Sequence, residues 1–164
     1  MFNRITSGQA FGRSAAVLGI VAGSAFVVMS SALAGECPAG MMKPNAREMV
    51  TFGPKGVTDT TLGAIDLAKE PAQIKDRQLR FRKLTIEPGG IVPWHSHGDR
   101  PAIIYVAEGE IIEYASNCAA PILHKAGDIR PETNPTSHWW KNTGKQIVIL
   151  LSADILHDQM DQNM

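Results

Sequence analysis

The stretch Gly89-Gly90-Ile91-Val92-Pro93-Trp94-His95-Ser96-His97 decides the reading of this chain. His95 and His97 are one residue apart, so on a strand their side chains leave the same face. Two imidazoles placed that way can converge on one metal ion. Taken alone the pair is a weak signal, because two histidines at the edge of a core fit it equally well. Downstream, Glu108-Gly109-Glu110 lies between the apolar runs Ala102–Ala107 and Ile111–Tyr114. Gly109 can supply a turn conformation that is costly for other residues, so the two runs should form an antiparallel hairpin.

The same texture continues in both directions. Short apolar and β-branched runs occupy Val57–Leu67, Leu79–Glu87, Ile122–His124 and Gln146–Ala153, and proline, glycine or polar turns separate them. Ser137-His138-Trp139-Trp140 also reads as strand. Runs of this length between turn signals are the pattern of a sandwich or barrel. No run keeps an apolar 3.6 period for three turns, and the best helical candidate is the short segment near Pro71–Asp76. The expected fold class is all-β, with a single domain.

The motifs can then be placed. Gly89, His95, His97 and Gly109 fit G-x5-H-x-H followed by a strand and a turn glycine. Gly127, His138 and Asn142 fit G-x10-H-x3-N. The chain resembles the cupin superfamily in these two paired motifs, as a small single-domain, type-2-like member, over roughly residues 79–153. The resemblance implies a cupin-like jelly-roll β-barrel of antiparallel strands. It also implies His95, His97 and His138 as ligands of one divalent transition metal: copper, zinc, iron, manganese or nickel.

One departure stands out. Cupins usually carry a glutamate ligand between the second histidine and the turn glycine. Counting back seven residues from Gly109 gives Ala102, and counting four onward from His97 gives Pro101; neither binds a metal. The expectation is a three-histidine site lacking the usual glutamate ligand. Such a site leaves the metal its full charge and favours an anionic or bidentate substrate. Asp99 is the nearest carboxylate in sequence and reads as a turn residue.

Around the site, Trp140 shares alternation with His138, Tyr105 lies on the first hairpin strand and Arg100 follows the H-x-H pair. These three are the substrate-binding candidates. Arg80 and Arg82 share a face and could grip a carboxylate if they reach the pocket. For each alone, solvent exposure is the ordinary reading. His124 has no partner by spacing, and His157 is expected to be exposed.

Composition narrows the function classes. The 164 residues carry 16 basic and 16 acidic groups, so no basic excess exists to meet a nucleic-acid backbone. Residues 1–34 read as a signal peptide: Arg4 and Arg13 without an acid, then an uncharged run from Ala15 to Met29, then Ala32-Leu33-Ala34. That run is short for the roughly twenty residues of a membrane-spanning helix. Cleavage is expected after Ala34, which leaves 35–164 as the domain and a periplasmic or secreted protein without a membrane partner. Cys37 and Cys118 both survive cleavage. They can pair as a disulfide in an oxidising compartment or remain free thiols.

The functional expectation is an exported, metal-dependent, oxygenase-like cupin acting on a small-molecule substrate. The alternative is a non-catalytic cupin module that binds a small ligand or a metal. Cupins often pair through sheet edges, so a homodimer is compatible with the resemblance.

Overall fold

A computed structural model describes residues 35–157. The expected signal peptide 1–34 and the polar segment Asp158–Met164 lie outside the described residues. Eight strands follow in chain order: β1 Lys55–Asp66, β2 Arg77–Ser96, β3 Ala102–Glu108, β4 Glu110–Ala115, β5 Ile122–Lys125, β6 Ile129–Glu132, β7 Ser137–Lys141 and β8 Val148–His157. They form one curled antiparallel sheet in the order β5-β4-β7-β2-β8-β3-β6, with β1 added on β2. This is the expected all-β jelly-roll architecture. The only helical turn among the described residues is the 3-10 segment Leu67–Lys69, just before Pro71–Asp76, the best helical candidate in the sequence. Asp66 caps it by accepting from the Ala68 amide at 3.1 Å.

The register explains the alternation along the chain. On β8 every second residue from Val148 to Leu156 is buried, and on β3 Ala102, Ile104 and Val106 point inward while Ile103 and Tyr105 point out. Leu84, Ile86, Val92, Ile104, Val106 and Trp140 belong to the core between the curled faces. A second, smaller cluster joins Ala115, Cys118 and Ile122. There the segment before β1 is stapled to the barrel: Cys37 and Cys118 are joined by a disulfide, and Arg47 donates to the Cys118 carbonyl at 3.0 Å.

The longest strand, β2, changes partners partway. Its first half pairs with β8, and Ile91 to Ser96 pair with β7. The change occurs at Gly89-Gly90. Gly89 has φ +74, and a Cβ on Gly90 would stand 2.7 Å from the Glu87 carbonyl, so that position has no room for a side chain. Asn142, fully buried, clamps this bend. Its amide donates to Gly90 O at 3.0 Å, its carbonyl accepts from Gly89 N at 2.9 Å, and its side chain donates to Ile86 O at 3.0 Å. The glycine that opens the first motif and the asparagine that closes the second are therefore one structural unit. That unit aims the strand carrying His95.

Candidate metal centre

His95 and His138 are directly opposed in the β2–β7 ladder, so both rings leave one face of adjacent strands. His97 lies just beyond β2 and is tethered by its amide to Thr136 O at 2.8 Å. Ring centroids are 5.0 Å apart for His95 and His97, 4.5 Å for His95 and His138, and 4.8 Å for His97 and His138. All three residues are buried, His138 completely.

The hydrogen bonds fix which nitrogens meet. His95 Nδ1 donates to Pro93 O at 2.9 Å and His97 Nδ1 donates to Arg100 O at 2.8 Å. A carbonyl can only accept, so on both rings the proton is on Nδ1 and the Nε2 lone pair faces the centre. His138 Nδ1 donates to Glu113 Oε1 at 2.8 Å. The three Nε2 atoms converge, with His138 Nε2 3.0 Å from each of the other two. Every ring is tied at its far nitrogen and open at its near one, the arrangement metal-binding histidines use.

The structure corrects the expectation of a site without a carboxylate. Glu132 brings Oε2 to 2.5 Å from His97 Nε2 and 2.7 Å from His138 Nε2. Ligand atoms of His95, His97, Glu132 and His138 all lie within 4.8 Å of one another. The reason is geometric. Glu132 is on β6, whose partner β3 carries Ala102 directly opposite it. The position vacated in sequence is filled from the next strand. Counting within the first motif does not find it, because Ile129-Arg130-Pro131-Glu132 contains a proline and reads as loop. As the outermost strand of the order, β6 tolerates Pro131 without losing a ladder partner on its free side.

The donor set fits a cation. Glu132 is buried; its Oε2 meets only the Nε2 atoms of His97 and His138, and its Oε1 has no hydrogen-bond partner. Lone pairs from Nε2 atoms and a carboxylate oxygen at such separations repel unless a positive centre sits among them. In the metal-free chain a proton serves. Burial opposes charge on His138, but the Glu132 and Glu113 carboxylates outweigh it and lift its pKa to about 9. Burial likewise opposes the Glu132 anion, yet His138 and His97 hold its carboxyl far below the usual range. His95 goes the other way: burial and the neighbouring His138 keep it well below 6.5 and neutral.

A supporting layer lies behind His138. Glu113 on β4 is fully buried and reaches His138 with one oxygen and His124 Nε2 with the other, both at 2.8 Å. Arg130 adds a contact at 3.2 Å. Burial would raise the Glu113 carboxyl, but the hydrogen bonds from His124 and His138 bring it down to about 2. His124, without a partner by spacing, is thus recruited by the β4–β5 ladder, where Ile111 stands opposite it.

The remaining candidates are placed as follows. Trp140 is buried, lines a cavity of about 20 Å³ beside the ligands, and has Nε1 3.4 Å from His138 Nε2. Tyr105 does not line that cavity: it is 41% exposed on the outer face of β3, because alternation sends Ile104 inward instead. Arg100 is buried with Nη1 3.9 Å from Asp154 Oδ2, and its contribution to the site is the carbonyl that orients His97. Asp99 turns away from the histidines to pair with Arg77 and His157. Arg82, for which exposure was the ordinary reading, is 5% exposed and forms part of the cavity wall.

Comparison with known proteins adds a family and a fold. The family model described as Cupin domain matches residues 82–154. No curated protein sequence matches the chain. The structure is similar to that of a predicted oxalate decarboxylase from Thermotoga maritima, 24% identical, with a TM-score of 0.51 over 74% of this chain and 98% of that one. It is also similar to an uncharacterized conserved protein with a double-stranded beta-helix domain from Klebsiella pneumoniae subsp. pneumoniae, 18% identical, with a TM-score of 0.50 over 72% and 85% of the two chains.

Proposed function

The chain belongs to the cupin superfamily, and from that premise we propose an exported, metal-dependent cupin enzyme of the oxygenase type that acts on a small molecule. The observation that carries the reading is the convergence of three imidazole Nε2 atoms and the Glu132 carboxylate in a buried space. His95, His97, His138 and Glu132 would hold one divalent transition metal. The carboxylate widens an all-imidazole donor set toward manganese and iron as well as copper, zinc and nickel. When bound, the metal supplies Lewis acidity and coordination positions for exogenous ligands.

The chain's own groups do the rest. Pro93 O, Arg100 O and Glu113 hold the three rings in the ligating tautomer. Leu84, Val92, Ile104 and Leu150 give the cavity an apolar wall that limits bulk water. Glu132 Oε1 is a buried acceptor with no partner, on a residue that lines the cavity. Export is supported by the leader-like order of residues 1–34 and by the disulfide, which suits an oxidising compartment. Leu79, Phe81, Ile103, Tyr105 and Ile129 are exposed apolar residues of the outer sheet face, which suits a homodimer.

The test is elemental analysis of protein purified from the exported fraction without chelator, beside a His95→Ala/His138→Ala variant, followed by oxygen-uptake assays. Near-stoichiometric metal that the variant loses is the expected result. A wild-type site that stays empty after reconstitution with all five metals would sink the reading. Metal without turnover would leave a binding module.

A further inference from the structure

We infer that Arg82 provides an anion subsite beside the metal ligands, so that the cavity takes a small carboxylate or a monoanion of similar size. The inference deepens the metalloenzyme reading and rests on it only for what occupies the ligand set. Arg82 is on the inward face of β2 and borders the same cavity as His95, His97, Glu132 and Trp140. Its guanidinium is held from behind. Nη1 pairs with Asp59, and Nη2 is 3.2 Å from Asp154 Oδ2. Nε, however, is buried with no acceptor.

A second orphan lies next to it. Ser152 stands opposite Arg82 in the β2–β8 ladder and opposite Ile104 in the β3–β8 ladder, and its hydroxyl is also buried without a partner. Buried polar groups are nearly always satisfied. Two unsatisfied donors on one inward sheet face, one of them on the cavity wall, with no protein acceptor within hydrogen-bond reach of either, point to an acceptor that comes from a ligand.

The chemistry selects that acceptor. Arg82 is permanently cationic and can only donate, so its best partner is an anionic oxygen in a charge-assisted bond. Leu84, Val92, Ile104 and Leu150 make much of the remaining wall apolar, which strengthens such a bond. The size of the cavity, about 20 Å³, is room for one water-sized group. The subsite therefore seats the head of a carboxylate of few heavy atoms and rejects bulky acids. Arg80 does not compete for this role, because its Nε and Nη2 hold Asp154 at 3.0 and 2.7 Å.

The experiment uses the processed full-length domain, with its metal content measured first, and titrates sodium formate and neutral formamide by calorimetry. Arg82→Lys keeps a positive charge between Asp59 and Asp154 and removes the Nε–H. The expected result is formate binding that weakens at least about tenfold in R82K, the loss typical of a charge-assisted bond, and formamide binding weaker than formate in the wild type. Val92→Ile adds one methylene to the cavity wall without touching Arg82, and should also weaken formate.

Equal formate affinity in wild type and R82K, or formamide binding as well as formate, overturns the subsite, as does a wild type that binds no formate. If R82K does not fold, an unchanged formate affinity in V92I overturns it. A wild type that holds no metal overturns the metalloenzyme reading alone; the same comparison on metal-free protein then decides the subsite.

Discussion

Glu132 stands directly across the β3–β6 ladder from Ala102, the position at which the family's glutamate would be counted. Directly opposed residues on one sheet face have Cβ atoms about 5 Å apart. A glutamate side chain spans that distance, so a carboxylate one strand over enters the same space. The cluster joins three imidazoles and a carboxylate, with the carboxylate supplied from β6 rather than from the Ala102 position on β3.

This exchange predicts a rescue. Glu132→Ala should weaken metal binding by at least about 100-fold, beyond what loss of an outer-shell partner costs. Adding Ala102→Glu to that variant should recover part of the loss. Competition titrations against a chelator measure both, and a double variant no better than E132A would show that the two positions are not equivalent.

Glu113 holds His138 from behind, so Glu113→Gln should loosen metal binding by about 10–100-fold without removing a ligand. It also leaves His124 and Arg130 beside a neutral amide. Breaking so buried a pair should cost about 3 kcal/mol in denaturant melts of metal-free protein. Metal affinity equal to wild type would count against the orienting role.

The stability of the metal-free chain should peak in mildly acidic solution. Glu113, lowered from 4.5 to about 2, contributes fully above pH 4.5 and loses its contribution as pH falls toward 2. His138, raised from 6.5 to about 9, contributes fully below pH 6.5 and loses its contribution as pH rises through 9. His95, which burial and the neighbouring His138 hold well below 6.5, opposes folding as pH falls below 6.5. Thermal melts in chelator should therefore show the highest Tm near pH 6.5. Added metal should restore the alkaline side, since it takes the proton's place among the lone pairs. A flat chelated profile from pH 5 to 9 would contradict the charge arrangement.

Cys37 and Cys118 close a loop with a sequence separation of 81 residues. Cys37→Ser/Cys118→Ser should lower stability by roughly 4 kcal/mol in the chain-entropy account. Reductant should have the same effect on the wild type and none on the variant. The staple lies at the β4–β5 end of the sheet, so metal binding at 25 °C should survive.

Gly90 offers a test of the bend that aims His95. Gly90→Ala sets a Cβ against the Glu87 carbonyl and the Ile86 side chain, both at 2.7 Å. The strand must shift, at a cost of about 1–3 kcal/mol for overpacking. Because Asn142 binds the same bend, metal affinity should fall with stability. A variant that is destabilised but binds metal normally would separate the two.

Much of this was legible from short-range pattern. Alternation fixed the inward faces of β3 and β8, glycines marked the β2 bend and the β3–β4 turn, and one-residue spacing put His95 and His97 together. Arg82 shows the limit. Its place on an inward face follows from alternation, but a charged residue reads as exposed until Asp59 and Asp154 are seen closing around it.

By itself, the sequence determined an all-β chain with two histidine motifs, because strand period and turn chemistry are local. Tertiary structure alone decided which carboxylate completes the centre, which glutamate orients His138 and where Arg82 finds its counter-ions. Each of those pairings joins residues distant in sequence across strands, and its register is set by packing of the whole sheet rather than by any local spacing.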